Sequence, residues 1–135
     1  MNAFSILFET SRFNLSKVGE HFINPCCFGE DVAAWLGSKL APNAVEIRQA
    51  YQEDWGWELP AKYENASYYL CIGGNSHESA SNKDDGEWRI IIEKRRSIAQ
   101  RITGKGKITE NDGMMKLIED ILVGEPDIRN IHREL

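Results

Sequence analysis

Alternating hydrophobic and polar positions predict a strand at the start of the chain and another near its middle. Phe4, Ile6 and Phe8 alternate with other residues, and a period of two places such side chains on one face of a sheet. We therefore expect the chain to open with a buried strand that ends near Ser11. A second alternating run, 88–92, has isoleucine on both faces, which is typical of a strand in the centre of a sheet.

Apolar residues at helical spacing predict two main helices. The first covers residues 30–40 and begins with two carboxylates, which favour the positive end of a helix dipole. The second follows Thr109, which forms with Asp112 a pattern similar to a capping box, and its apolar stripe ends at Gly124.

Three less regular stretches complete the pattern. Residues 94–103 could form a short helix with Ile98 and Ile102 directed inward. Residues 75–87 are almost entirely polar and predict the longest loop, and loops of this length are usually functional or mobile. The tail from Asp127 is expected either to add a short edge strand or to lie irregularly on the surface.

The order of these elements predicts an α+β fold. Alternation over residues 45–59 indicates two strands or one long bent strand, and residues 67–72 indicate another. We expect a single domain over residues 1–135, with a mainly antiparallel sheet of four to six strands and two main helices packed on one face.

The segment 53–58, with the sequence EDWGWE, combines two tryptophans with three carboxylates. In a strand, Trp55 and Trp57 would lie on the same face of the sheet. Gly56 between them predicts a bulge or the close approach of another backbone. The following residues, 60–66, are expected to form a turn.

Composition is that of an ordinary globular protein, but the charge is unevenly distributed. The chain has 135 residues, 41% hydrophobic and 27% charged, and a net charge of -5. Residues 1–88 hold 13 acidic and 6 basic residues. Residues 89–109 hold 1 acidic and 7 basic residues, and residues 110–135 hold 7 acidic and 3 basic residues. An acidic body of this kind disfavours general nucleic-acid binding and favours a partner with a basic surface.

The expected location is the cytoplasm, with no membrane partner. The N-terminus has neither the basic region nor the apolar stretch of a signal peptide. No run approaches the roughly 20 apolar residues that span a bilayer. Cys26, Cys27 and Cys71 are odd in number, and the adjacent pair is poorly placed to form a disulfide, which agrees with a reducing compartment.

Candidate catalytic and metal-binding groups do not form a recognised pattern. Glu53, Asp54 and Glu58 could include an acid–base pair, but adjacent carboxylates on a strand point to opposite faces. Cys71 and His77 have a spacing compatible with zinc, whereas structural zinc sites normally show paired ligands such as C-x₂-C. We therefore assign no catalytic residue, no metal and no cofactor, and we expect the protein not to be an enzyme.

The basic segment offers a different possibility. Residues 104–109 are similar to a phosphate loop but lack its first glycine and its hydroxyl residue. Arg95, Arg96, Arg101 and Lys105 could contact a phosphate backbone. Because the whole chain is acidic, a solvated charged surface is the better interpretation, and direct nucleic-acid binding is not expected.

Three segments, 28–36, 53–58 and 87–91, together resemble a family of small, stand-alone, poorly characterised bacterial cytoplasmic proteins. Small acidic proteins of this kind are similar to the immunity proteins that bacteria pair with contact-dependent or polymorphic toxins. The resemblance implies a toxin domain as the partner. It assigns no functional residue.

The leading hypothesis is a non-enzymatic binding protein, an immunity-type inhibitor that covers the basic active site of a toxin such as a nuclease. The predicted partner-binding residues are the carboxylates and tryptophans of the middle of the chain: Glu53, Asp54, Trp55, Trp57, Glu58, Glu78, Asp84, Asp85 and Glu87. The alternative is a small-molecule-binding protein or small enzyme, with Trp55, Trp57 and Tyr69 lining a pocket beside Glu58.

Overall fold

The computed structural model describes residues 3–134, which form seven strands and three α-helices. The strands are β1 (Ala3–Thr10), β2 (Glu46–Ile47), β3 (Tyr51–Glu53), β4 (Gly56–Tyr63), β5 (Ala66–Ser76), β6 (Gly86–Lys94) and β7 (Arg129–Glu134). The helices are α1 (Glu30–Leu40), α2 (Ile98–Thr103) and α3 (Gly113–Val123), and a short 3₁₀ helix, Ala41–Asn43, follows α1.

All seven strands belong to one antiparallel sheet, so the predicted α+β class with an antiparallel sheet is confirmed. The strand order is β2-β4-β5-β6-β1-β7, and β3 pairs with β4 beside β2. The number of strands exceeds the expected four to six because residues 46–63 form three strands, where one or two were expected over residues 45–59. Residues 46–53 divide into two short strands that both pair with β4. The tail adds β7 along the outer edge of β1, which is the edge strand that was one of the two expectations for it.

The hydrophobic core lies between one face of the sheet and the two longer helices, α1 and α3. Ile6 and Phe8 of β1 and Ile90 of β6 are fully buried in it, as the alternating pattern predicts. The strand β6 lies between β5 and β1, which confirms its predicted central place. Helix α1 has the predicted bounds, and it contributes Val32, Ala33, Leu36 and Leu40 to the core.

The boundaries of β4 and β5 differ from the prediction. The strand β5 was expected over residues 67–72 but covers Ala66–Ser76, so the polar loop is confined to residues 77–85. The strand β4 continues through Pro60 to Tyr63, where a turn was expected, and the turn itself comprises Glu64 and Asn65, both with positive φ. Pro60 is tolerated because it lies between the rungs that β2 and β3 form with β4, where its missing N–H interrupts neither pairing. Its carbonyl oxygen still accepts from the N–H of Arg48.

The two later helices also require correction. Asp112, rather than Thr109, is the N-cap of α3, and its carboxylate accepts from the N–H of Met114. In α2 the isoleucines point away from the core: Ile98 is 76% exposed and Ile102 is 80% exposed. Helical periodicity gives the face that two residues share, but it does not say which way that face points.

Candidate functional site

Two acidic hairpins meet at one end of the sheet, which we call the acidic end. The first is the β3–β4 hairpin, whose turn comprises Asp54 and Trp55, and the second is the β5–β6 hairpin, whose loop covers residues 77–85. The antiparallel order brings the start of β4, the end of β5 and the start of β6 together. A Cβ atom built on Gly73 of β5 would lie 3.1 Å from the carbonyl oxygen of Trp55, so the two hairpins are in contact.

The two tryptophans of segment 53–58 do not share a face, contrary to the prediction. Trp55 belongs to the turn that precedes β4, where strand alternation does not apply, and it is 48% exposed. Trp57 is 5% exposed, packs on Phe22, and its indole N–H donates to the carbonyl oxygen of Cys27 over 3.1 Å. Trp55 is therefore available to a partner, whereas Trp57 holds the irregular segment 11–29 against the sheet.

The predicted carboxylates differ in how far they are already engaged. Asp54, Glu78 and Glu87 are exposed, and Asp54 accepts only a long hydrogen bond, 3.2 Å, from the side-chain amide of Asn24. By contrast, Asp84 accepts from the N–H of Leu15 (2.9 Å) and the hydroxyl of Ser16 (2.8 Å), and Asp85 forms an ion pair with Arg129 at 2.7 Å. Asp84 and Asp85 thus fix the loop in place. Of the exposed carboxylates, Asp54 belongs to the turn of Trp55 and Glu87 lines a cavity beside Trp55, whereas Glu78 lies in the loop 77–85.

Glu58 lies on the other face of the sheet from the helices, which we call the open face, and its surroundings favour its neutral form. Burial raises the pKa of this carboxyl and the charge of Glu93 raises it further, which outweighs the lowering by the Cys71 thiol and by the charge of Arg95. The hydroxyl of Tyr51 donates to it, and the sulfur of Cys71 lies 3.8 Å away. Burial likewise raises the pKa of Cys71 to about 12, which keeps this thiol protonated and unsuited to act as a nucleophile.

Replacement of Glu58 by glutamine is expected to stabilise the protein at neutral pH but not at acidic pH. Because the folded-state pKa of Glu58 is raised, its contribution to stability is fully present below its unfolded pKa and is lost as the pH rises through the folded value. Glutamine keeps an acceptor for Tyr51 and carries no charge. Urea unfolding of both proteins between about pH 4 and pH 7 measures the difference; a glutamine variant that is equally or less stable at pH 7 would contradict the expectation.

A cavity of about 500 Å³ opens on this face beside Trp55. Its wall includes the three cysteines as well as carboxylate and guanidinium groups; the lining residues are Cys26, Cys27, Trp55, Cys71, Gly73, Gly74, Asn75, Glu87, Trp88, Arg89 and Ile91. Cys26 and Cys27 form a disulfide with each other, so the prediction that adjacent cysteines are poorly placed to bridge was wrong. The bridge lies where the segment 11–29 folds over the β3–β4 turn.

The residues of the alternative pocket do not line this cavity together. Trp57 lies on the helix side, Tyr69 lies beside Arg95 with the guanidinium 4.7 Å from its ring centroid, and Glu58 is outside the lining. The proposed zinc ligands also separate, because Cys71 faces the cavity while His77 lies 2.9 Å from the carboxylate of Glu9. Among residues 3–134 no three His, Cys, Asp or Glu side chains are arranged to hold a metal ion.

The sequence-based prediction missed the contribution of the irregular segment 11–29 to this site. Gln52 of β3 accepts from the N–H groups of Ile23 (2.5 Å) and Asn24 (3.0 Å), and it donates to the carbonyl oxygens of Asn24 and Cys27. This single amide clamps residues 23–27 beside Trp55. The segment has no hydrophobic period, and Asn24-Pro25 indicates only irregular chain, so periodicity could not have placed it.

Comparisons with protein-family models, with curated proteins and with solved structures find no match for this chain. The site is therefore interpreted from its own geometry. No helix between residues 3 and 134 has the length and hydrophobicity that crossing a bilayer requires.

Proposed function

We propose that this chain is a non-enzymatic binding protein, an immunity-type inhibitor whose acidic end docks on the basic active-site surface of a toxin domain. The observation that carries the proposal is that the half-exposed Trp55 lies with two exposed carboxylates, since Asp54 belongs to the same turn and Glu87 lines the same cavity. These residues come from two hairpins that the sheet brings into contact. A rigid scaffold that presents charge on adjacent turns is typical of recognition surfaces.

Electrostatics favours a partner that binds phosphate. The cleft of a nuclease is positive because it holds a polyanion, and a negative surface of matching shape would compete for that cleft and accelerate association. The basic segment 94–107 does not cancel this surface, because it follows the opposite end of β6. The association should accordingly weaken steeply as ionic strength rises.

Trp55 is the expected anchor of the interface. Exposed tryptophans in the centre of a polar ring are enriched among the residues that dominate binding energy. Its turn is held from both sides, by the clamp of Gln52 on residues 23–27 and by the Gly73 backbone. Little side-chain and loop ordering should therefore be needed on binding.

Trp55→Ala is expected to weaken partner binding at least about thirtyfold, and Asp54→Lys with Glu87→Lys should slow association by a similar factor. Surface plasmon resonance at two salt concentrations separates the two effects, since the tryptophan acts mainly on dissociation. Glu110→Lys with Asp120→Lys is the matched control, because both residues are exposed and lie outside the two hairpins. Equal losses in the control and the test variant would mean that net charge, rather than this surface, determines binding.

The partner can be sought among the products of the genes adjacent to the one that encodes this chain. The proposal expects one of them to be toxic when expressed alone and harmless when co-expressed with this protein. Rescue by the wild type but not by the Trp55→Ala variant would support the acidic end as the inhibitory surface. The absence of any toxic neighbour, or rescue by all variants alike, would overturn the proposal.

The cavity beside Trp55 supports a second candidate, a small-molecule-binding protein. Its volume of about 500 Å³ is within the range of ligand pockets, and it combines apolar walls with Glu87 and Arg89. A thermal-shift screen of metabolites against the wild type and the Trp55→Ala variant tests this candidate. Ligands that stabilise only the wild type would support it, and a screen without such ligands would count against it.

A further inference from the structure

The helix α2 contributes nothing to the hydrophobic core, although two of its six residues are isoleucine. All residues of Ile98–Thr103 are exposed. The helix is held by its termini: Ser97 and Gln100 form a capping box, and the side chain of Arg96 donates to the carbonyl oxygens of Gln100 and Lys105, both at 2.9 Å. A surface element that is fixed at its ends and exposes large apolar side chains is available for contact with another body.

The exposed isoleucines share a short segment with a concentration of positive charge. Ile98 and Ile102 are four residues apart and lie on the same side of the helix. Residues 94–107 contain six basic residues and no acidic residue. Arg95, Arg101, Lys105 and Lys107 are exposed. Within residues 3–134, this segment takes part in one ion pair, between Lys94 and Asp112.

From this combination we infer that α2 and its flanks, residues 94–107, form a docking surface for an anionic phospholipid bilayer. Protruding aliphatic side chains with arginine and lysine in the same short segment match the two layers of such a surface, with anionic headgroups outside and hydrocarbon beneath. A phosphate backbone would use the basic residues but not the isoleucines. The contact is peripheral and needs no spanning helix. The expectation of no membrane partner rested on the lack of a signal peptide and of a spanning segment, so it does not bear on a peripheral contact.

The charge distribution of the whole chain would orient the bound protein. The acidic hairpins are at the end of the sheet where β6 begins, and the basic segment follows its other end. An anionic surface attracts the basic end and repels the acidic end. Trp55 would therefore face away from the bilayer, so the inference is independent of the proposed function and compatible with it.

The test is co-sedimentation of the full chain with vesicles of phosphatidylcholine, alone or mixed with phosphatidylglycerol. We expect binding to the mixed vesicles only, weakened at high salt. Ile98→Ser with Ile102→Ser should lower the partition coefficient at least about tenfold, and Arg101→Glu with Lys105→Glu at least about thirtyfold. The matched control is Val123→Ser, because Val123 is also an exposed aliphatic residue near a helix end, at 65% exposure, but lies on α3.

Three outcomes would overturn the inference. In the first, the wild type does not bind the mixed vesicles at low salt. In the second, it binds vesicles of phosphatidylcholine alone as well as it binds the mixed vesicles. In the third, the variant with both isoleucines replaced by serine binds the mixed vesicles as well as the wild type does. In the last case the surface would be a purely electrostatic one, and single-stranded DNA or polyglutamate should then displace the protein from the vesicles. Circular dichroism of each variant confirms that a loss of binding is not a loss of fold.

Discussion

Replacing Asp112 with alanine is expected to lower the free energy of unfolding by about 3–5 kcal/mol. Asp112 is 7% exposed and combines three interactions: it caps α3 through the N–H of Met114 (3.0 Å), accepts from the hydroxyl of Tyr68 (3.0 Å) and pairs with Lys94 (3.0 Å). Burial of the Tyr68 hydroxyl, together with the charge of Asp112, raises the pKa of Tyr68. Alanine removes the cap, the acceptor and the counter-charge at once.

Asparagine at position 112 separates these contributions. It is an equally good N-cap and can still accept from Tyr68, but it lacks the charge that pairs with Lys94. We expect it to retain more than half of the stability that alanine loses. Asp120→Ala, an exposed change on the same helix, should stay within about 0.5 kcal/mol of the wild type. Guanidinium unfolding measures all three variants; a loss below about 1 kcal/mol for Asp112→Ala would show that this buried group is not the link between α3 and the sheet.

Asp112 also illustrates what the sequence could and could not predict about the fold. The apolar stripe of α3 and the Gly124 at its end were sufficient to predict the helix. The cap was assigned to Thr109, because a hydroxyl followed three residues later by a carboxylate is a common pattern. Tertiary contacts decide where the helix starts. Tyr68 of β5 and Lys94 of β6 bind the carboxylate of Asp112 and hold it in the core.

Predictions from periodicity were accurate where an element has one buried face and less so elsewhere. Helix α1 and strands β1 and β6 follow the predicted pattern, since their apolar residues pack in the core. Helix α2 shows the opposite case, because its isoleucines face solvent. Two apolar residues on a short helix have the same spacing whether they face the core or the solvent. The basic residues around Ile98 and Ile102 were the better indication that this helix lies on the surface.

The candidate site depended on contacts that no local pattern encodes. The acidic residues were predicted from composition, and the approach of Glu87 to Trp55 follows from strand order, which the sequence does not reveal. Asp84 and Asp85 are largely committed to Leu15, Ser16 and Arg129, partners distant in the chain. The remaining exposed carboxylates, with Trp55, define a smaller surface than the sequence suggested.

Gly56→Ala is expected to destabilise the protein by about 2–4 kcal/mol. The prediction from sequence that Gly56 marks a close approach of another backbone is confirmed: a Cβ atom there would lie 2.1 Å from the carbonyl oxygen of Ile72. The φ of Gly56 is +156°, a conformation that L-residues rarely adopt. The methyl group must therefore push β4 away from β5 at the end of the sheet where the two hairpins meet.

The control for this change is Gly104→Ala, at the C-terminus of α2. Gly104 also has a positive φ, +73°, but nothing lies within 4 Å of its added Cβ. Alanine there should cost only about 1 kcal/mol, the conformational term alone. The excess loss at Gly56 measures the contact with Ile72, and similar losses at both positions would show that no such contact exists. Because Trp55 immediately precedes Gly56, displaced strands should also alter the fluorescence of the folded Gly56→Ala variant, while Gly104→Ala should leave it unchanged.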